Sequence, residues 1–209
     1  IIPLDTNFFI STFVVTIAIL INDYLIYWTH RISHRNSILW ELNEFHHSAT
    51  EMVILNKDRN ILFEIMDIVF IPISALTAFI IGKYFSQGYT LPLFIYMTYI
   101  GFKLFLDYAA HSSVRVELPK YLSIVFMSPA LHWIHHSKNP KNYDRNFSSV
   151  FSFWDRMHGT YLSEKYIDEI ASYGFGVEGS IYNSYNPLYS MTILPIVKFT
   201  KALTKSFSS

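Results

Sequence analysis

Eight of the nine histidines fall into short groups whose spacing suits metal binding. His30 and His34 stand four apart in HRISH, so on a helix both rings leave from one face. His46 and His47 are adjacent in NEFHHS, and His111 follows a long apolar stretch. His132, His135 and His136 form HWIHH, where separations of three and four again favour one face. Neutral imidazole is a common ligand for iron and zinc. Taken singly these groups say little: two histidines four apart arise often by chance, and one histidine at a helix end is usually a satisfied polar residue. Together, eight nitrogens exceed what one tetrahedral zinc takes and suit two metals with about four ligands each. There is no cysteine, so a transition metal here would sit on nitrogen and oxygen donors.

The elements that must carry these rings are apolar. The 209 residues are 51% hydrophobic, 18% aromatic and 15% charged, where a soluble domain carries about a quarter charged residues. Three spans are expected at about 6–29, 65–82 and 91–108, each near the roughly 20 helical residues a bilayer core needs. The polar link Lys83–Thr90 reads as the turn between the second and third. The first apolar stretch is too long for a signal h-region. Threading the spans places His30, His34, His46 and His47 after the first and His111, His132, His135 and His136 after the third, so all eight share one membrane face. Arg31, Arg35, Lys57, Arg59, Arg115 and Lys120 lie on that face and only Lys83 in the opposite turn, which makes the histidine face cytoplasmic. The expected class is an all-α integral membrane protein forming one domain over 1–209: a helical bundle, histidine-rich segments at 30–47 and 111–136, and a tail at 162–209. Zero net charge points to no nucleic-acid partner.

The segments DYLIYWTHRISH, LWELNEFHHSATEM, LHWIHHSKNPKNYDRNF and FSFWDRMHGTY resemble the fatty acid hydroxylase/sterol desaturase superfamily, most of all its bacterial sterol-desaturase-type branch. The resemblance implies a membrane bundle under a cytosolic cap, with two iron ions held by the eight histidines. It further implies O2-dependent hydroxylation or desaturation of a sterol or fatty acyl chain, fed by a separate cytochrome b5- or ferredoxin-like electron donor. The membrane would be a bacterial inner membrane or the endoplasmic reticulum. Asp144 and Asn146 are expected to orient imidazoles, and Trp154, Asp155 and Arg156 to brace the site or cap a helix. Glu44 and Glu51 flank the second group as outer support or solvated surface, and His158 reads as packing or surface.

This chain departs from the family pattern at three places. Asn43 stands where HxxHH has its leading histidine, Ile61-Leu62 where a His-Pro pair is frequent, and Asn142 where a further histidine often follows. Two readings follow. In one, eight histidines hold both metals, with Asn43, Asn142 or the Asp107 carboxylate as weak or water-mediated ligands. In the other, one iron site is lost and the chain is a membrane metal-binding or scaffold relative. A zinc hydrolase lacks the Glu base of HExxH, and a bis-histidine haem would want its ligands inside the spans.

Overall fold

The uncharged run Thr6–Asn22 carries no helix breaker, and the helix it begins continues to Arg35 as α1 (Thr6–Arg35). At 1.5 Å per residue its 30 residues reach about 45 Å, more than the roughly 30 Å hydrocarbon core. Its last turns, with His30 and His34, therefore have room to emerge from the apolar layer. A computed structural model describes residues 6–59, 65–85, 90–170, 172–173 and 186–207. Asn36 ends α1 and starts α2 (Ser37–His47): its backbone is extended, and its side chain accepts from the amides of Ile38 and Leu39 at 2.9 and 3.1 Å. A 3-10 turn at Ile54–Asp58 precedes α3 (Ile65–Phe85) and α4 (Thr90–Ala110), of 21 residues each.

Two of the expected spans, Phe9–Arg35 and Leu91–Ala110, are helices long and apolar enough to cross a membrane; in α3 the described apolar stretch, Phe70–Ile80, is shorter. Of the expected Lys83–Thr90 turn, Lys83–Phe85 still belong to α3 and Thr90 opens α4, while residues 86–89 lie outside the described residues, as does Ile61-Leu62. α1 packs on α3 and α4 through a core of Val15, Ile19, Ile26, Phe70, Tyr96 and Leu106. Phe13, Phe79, Phe94 and Phe105 turn outward and are exposed, an arrangement that suits lipid contact. Inside the bundle, the Asn22 amide nitrogen donates to Ser74 Oγ and Tyr96 OH at 3.0 Å each, which satisfies an NH2 that would be costly alone in an apolar layer.

Among the described residues after α4, loops carry α5 (Lys120–Ser123), α6 (Pro129–His135), α7 (Phe153–Met157), α8 (Pro187–Thr192) and α9 (Leu194–Phe207). Ser128 caps α6, accepting from the Leu131 amide at 3.2 Å, with Pro129 preset for the first turn. α6 packs on α4, and α9 covers α2, where Lys198 pairs with Glu41 at 2.8 Å and with Glu44. Among the described residues, β-type pairing is confined to the isolated bridges Phe126–Phe151 and Ser137–Tyr173, as an all-α class requires.

Candidate metal centre

The eight histidines meet as two tetrads. His30 and His34 from α1, His47 from α2 and His135 from α6 form the first; His46 from α2, His111 after α4, and His132 and His136 from α6 form the second. One donor atom of each ring lies within 4.8 Å of the other three in its tetrad. The tetrads share a wall, where His47 and His136 stack with centroids 4.2 Å apart. Adjacent residues thus serve different groups: His46 goes to the second and His47 to the first.

Backbone carbonyls set the direction of three rings. Nδ1 of His30 lies 2.8 Å from Phe147 O, Nδ1 of His135 2.7 Å from Arg145 O, and Nδ1 of His111 2.7 Å from Asp107 O. A carbonyl only accepts, so each Nδ1 carries the proton and each neutral ring turns an Nε2 lone pair inward. The inward nitrogens crowd: Nε2 pairs are 3.0 Å apart for His34–His47, 3.2 Å for His47–His135, 3.1 Å for His46–His111 and His111–His132, and 3.0 Å for His132–His136. A ring nitrogen offers one in-plane proton or one lone pair, so Nε2 of His47, His111 and His132, each facing two partners, cannot make good hydrogen bonds to both. His30 Nε2 is buried with no hydrogen-bond partner.

A cation between the lone pairs resolves the conflict, and the spacing fits one. With nitrogen about 2.1 Å from a metal, neighbouring ligands lie about 3.0 Å apart at right angles and about 3.4 Å apart in a tetrahedron. Burial favours the same role. The rings of His46, His47, His132, His135 and His136 are held well below the usual imidazole pKa, first by loss of hydration and then by the neighbouring rings. At pH 7 they are neutral, the form that binds metal.

The residues expected to support the site do so differently. Asp144 pairs with Arg35 at 3.1 Å on the surface. Asn146 bonds backbone, donating to Leu131 O and Leu162 O and accepting from the Leu162 amide, rather than touching a ring. Both take left-handed φ values of 59° and 55°, which Asp and Asn tolerate, and so bend the chain on either side of the Arg145 carbonyl. Asp155 caps no helix; its carboxylate accepts from the amides of Phe147 at 2.8 Å and Ser148 at 2.9 Å and from Thr160 Oγ1 at 2.6 Å. Trp154 Nε1 donates to Asp23 at 2.9 Å, and Arg156 donates to Ser123 O at 3.0 Å. Asp107 contributes its carbonyl, while its carboxylate meets Lys103 at 2.5 Å and Ser149 at 3.1 Å. Asn142 donates to Ser137 Oγ at 3.1 Å. Asn43, at 1% exposure, has both amide atoms without a protein partner. Glu44 pairs with Lys198, the Glu51 carbonyl accepts from Asn56, and His158 stacks on Tyr24 and Tyr27, outside both tetrads.

Asp23 was not singled out by sequence reasoning. Fully buried, it accepts from the amides of Val150 and Phe151 at 3.2 Å each and from Trp154, so α1 and Asp155 together fix segment 147–151. Its sequence signal was a lone carboxylate bordering an uncharged run.

Two spaces reach the centre. A cavity of about 40 Å³ is lined by His30, His46, His111 and His132 with Ile26, Leu106 and Met127; buried Lys57 and Lys103 also line it. A wider cleft of about 430 Å³ is lined by His34, His47, His135 and His136 with Arg35, Trp40, Tyr143 and Asp144.

Comparison with known proteins agrees with this geometry. The fatty acid hydroxylase profile matches residues 15–160. The alkylglycerol monooxygenase of Xenopus tropicalis is 29% identical over 149 residues, 68% of this chain and 29% of that protein. The alkylglycerol monooxygenase of Caenorhabditis elegans is 26% identical over 189 residues, 86% of this chain and 33% of its own length. The ornithine lipid hydroxylase OlsE of Rhizobium tropici is 26% identical over 150 residues, 71% and 42% of the two chains. The chain thus spans about a third of the length of the first curated relatives it matches. No solved structure matches it. With its histidines, its carbonyl-braced loop and most of its length inside the matched region, the chain belongs to the fatty acid hydroxylase family.

Proposed function

We propose that this chain is the catalytic core of a membrane-bound, O2-dependent di-iron oxygenase that hydroxylates a lipid. The observation that carries the reading is the pair of adjoining, buried tetrads, each with four imidazoles. His30, His34, His47 and His135 would hold one iron, and His46, His111, His132 and His136 the other. A bound pair of irons would supply O2 reduction and attack on an aliphatic C–H bond. The relatives' names, monooxygenase and hydroxylase, favour hydroxylation over desaturation. Two complete tetrads support an active enzyme over the reading in which a site is lost with Asn43.

The chain's own part is to place donors and exclude water. Phe147, Arg145 and Asp107 carbonyls keep protons on Nδ1 of His30, His135 and His111, so that each Nε2 presents a lone pair for metal. Asp155 and Asp23 hold the loop bearing the first of these carbonyls. Ile26, Leu106 and Met127 give the cavity its apolar wall, beside the buried Lys57 and Lys103. The face carrying the histidines is cytoplasmic by its basic residues, where a separate one-electron carrier of the cytochrome b5 or ferredoxin kind would supply electrons.

Metal analysis of the purified protein tests this directly. Two irons per chain are expected, together with O2- and reductant-dependent hydroxylation when membrane lipid extracts are supplied. One iron or none in a folded protein refutes the di-iron reading.

A further inference from the structure

The two tetrads have different surroundings. The cavity is lined by three rings of the second tetrad and one of the first; the cleft by three of the first and one of the second. His34 alone among the eight ligand histidines is not fully buried, and it opens on the cleft. We infer that the centre is functionally unequal: aliphatic substrate reaches the His46/His111/His132/His136 side through the cavity, and water-borne reactants reach the His30/His34/His47/His135 side through the cleft. This division rests on the two-metal reading above.

The walls argue for it. The cavity lies against α1 and α4, both apolar enough to cross a membrane, and Ile26 and Leu106 face it from those helices. A site for one water needs roughly 10–15 Å³, so about 40 Å³ admits a short aliphatic segment and leaves the bulk of a lipid outside along the spans. The cleft is ten times larger and rimmed by the exposed Arg35–Asp144 pair, a border that suits solutes rather than an acyl chain. Its wall includes Trp40, with ring centroid 5.1 Å from His34 and 5.7 Å from His47. That indole therefore reports on the first tetrad.

The test uses the whole chain in lipid nanodiscs loaded with Co2+, an open-shell ion that quenches nearby indoles, and challenged with EDTA. Release is expected in two phases at least tenfold apart in rate. The fast phase should restore Trp40 emission, read as the difference between parent and Trp40→Phe, and should be missing in His34→Ala. Adding 1-octanol as an aliphatic probe should slow only the second phase, and Leu106→Phe, which fills the cavity, should abolish that protection. A single phase, a fast phase without the Trp40 signal, or octanol protection of the fast phase overturns the inference while leaving two metals per chain intact. A chain that takes up fewer than two Co2+ defeats the di-iron reading and this one with it.

Discussion

Asp155→Asn should weaken metal binding at a distance, because Asp155 touches no ligand. Its carboxylate accepts three bonds, from the Phe147 and Ser148 amides and from Thr160 Oγ1. Asn keeps one oxygen for Phe147 and Thr160 but presents an NH2 to the Ser148 amide, leaving a buried donor unpaired at about 1–3 kcal/mol and making the surviving bonds neutral. A total loss of about 3 kcal/mol follows, or roughly 6–12 °C in thermal midpoint for a chain of this size. The Phe147 carbonyl that orients His30 at 2.8 Å then loses its anchor. Loss of such outer support typically costs 10–100-fold in metal affinity. Competition titration against a calibrated chelator should show that loss at one metal of the two, with the second changed far less. Thr160→Val, which removes one of the three bonds along with the Thr160 contact to Tyr27 OH at 3.0 Å, should bind the first metal with an affinity between parent and Asp155→Asn. If Asp155→Asn melts earlier yet binds both metals with parental affinity, the claim that carbonyl placement governs the first tetrad is wrong.

Other outcomes follow from the same geometry. Asn43→Leu removes an amide that has no protein partner; if that amide holds a bound water, the variant should keep two metals and lose turnover several-fold, whereas unchanged turnover with raised stability would mark Asn43 as merely tolerated. Lys103→Met takes the cation from the largely buried Asp107 carboxylate and leaves it the Ser149 hydroxyl, so a loss of about 3 kcal/mol is expected, largely recovered in Lys103→Met/Asp107→Asn; equal stability of both variants in denaturant would contradict the pairing. In metal-free protein, five imidazoles with depressed pKa values bind fewer protons folded than unfolded. Stability should therefore be full above about pH 6.5 and fall below it, by up to roughly 1 kcal/mol per pH unit for each ring; a flat profile between pH 7.5 and 5.5 would refute their neutrality.

Spacing made the histidine groups legible in advance. HRISH and HWIHH announce shared helix faces, and the apolar runs before His30 and His111 announce the helices that deliver them. The partition into tetrads was hidden, because which ring meets which depends on the angle at Asn36 and on how α6 seats against α4. The orienting groups were hidden for another reason: they are backbone carbonyls, and any residue carries one. Asp144 and Asn146 stood out as polar side chains beside the histidines and so read as imidazole partners, and Asp155 as a brace or a helix cap. Their work is to bend and pin the chain so that carbonyls 145 and 147 point inward. Asp107 reads from spacing as a weak or water-mediated ligand, since it stands four before His111; in the structure its carboxylate faces the more deeply buried Lys103.

The placement of His46 and His47 in different tetrads makes α2 a common axle. Turning the helix about its axis moves both rings at once, so neither half of the centre can be tuned alone through this element. One residue inserted between Asn36 and Phe45 would rotate both rings by about 100° and dismantle the two halves together. Helix phase here is a single setting shared by the pair.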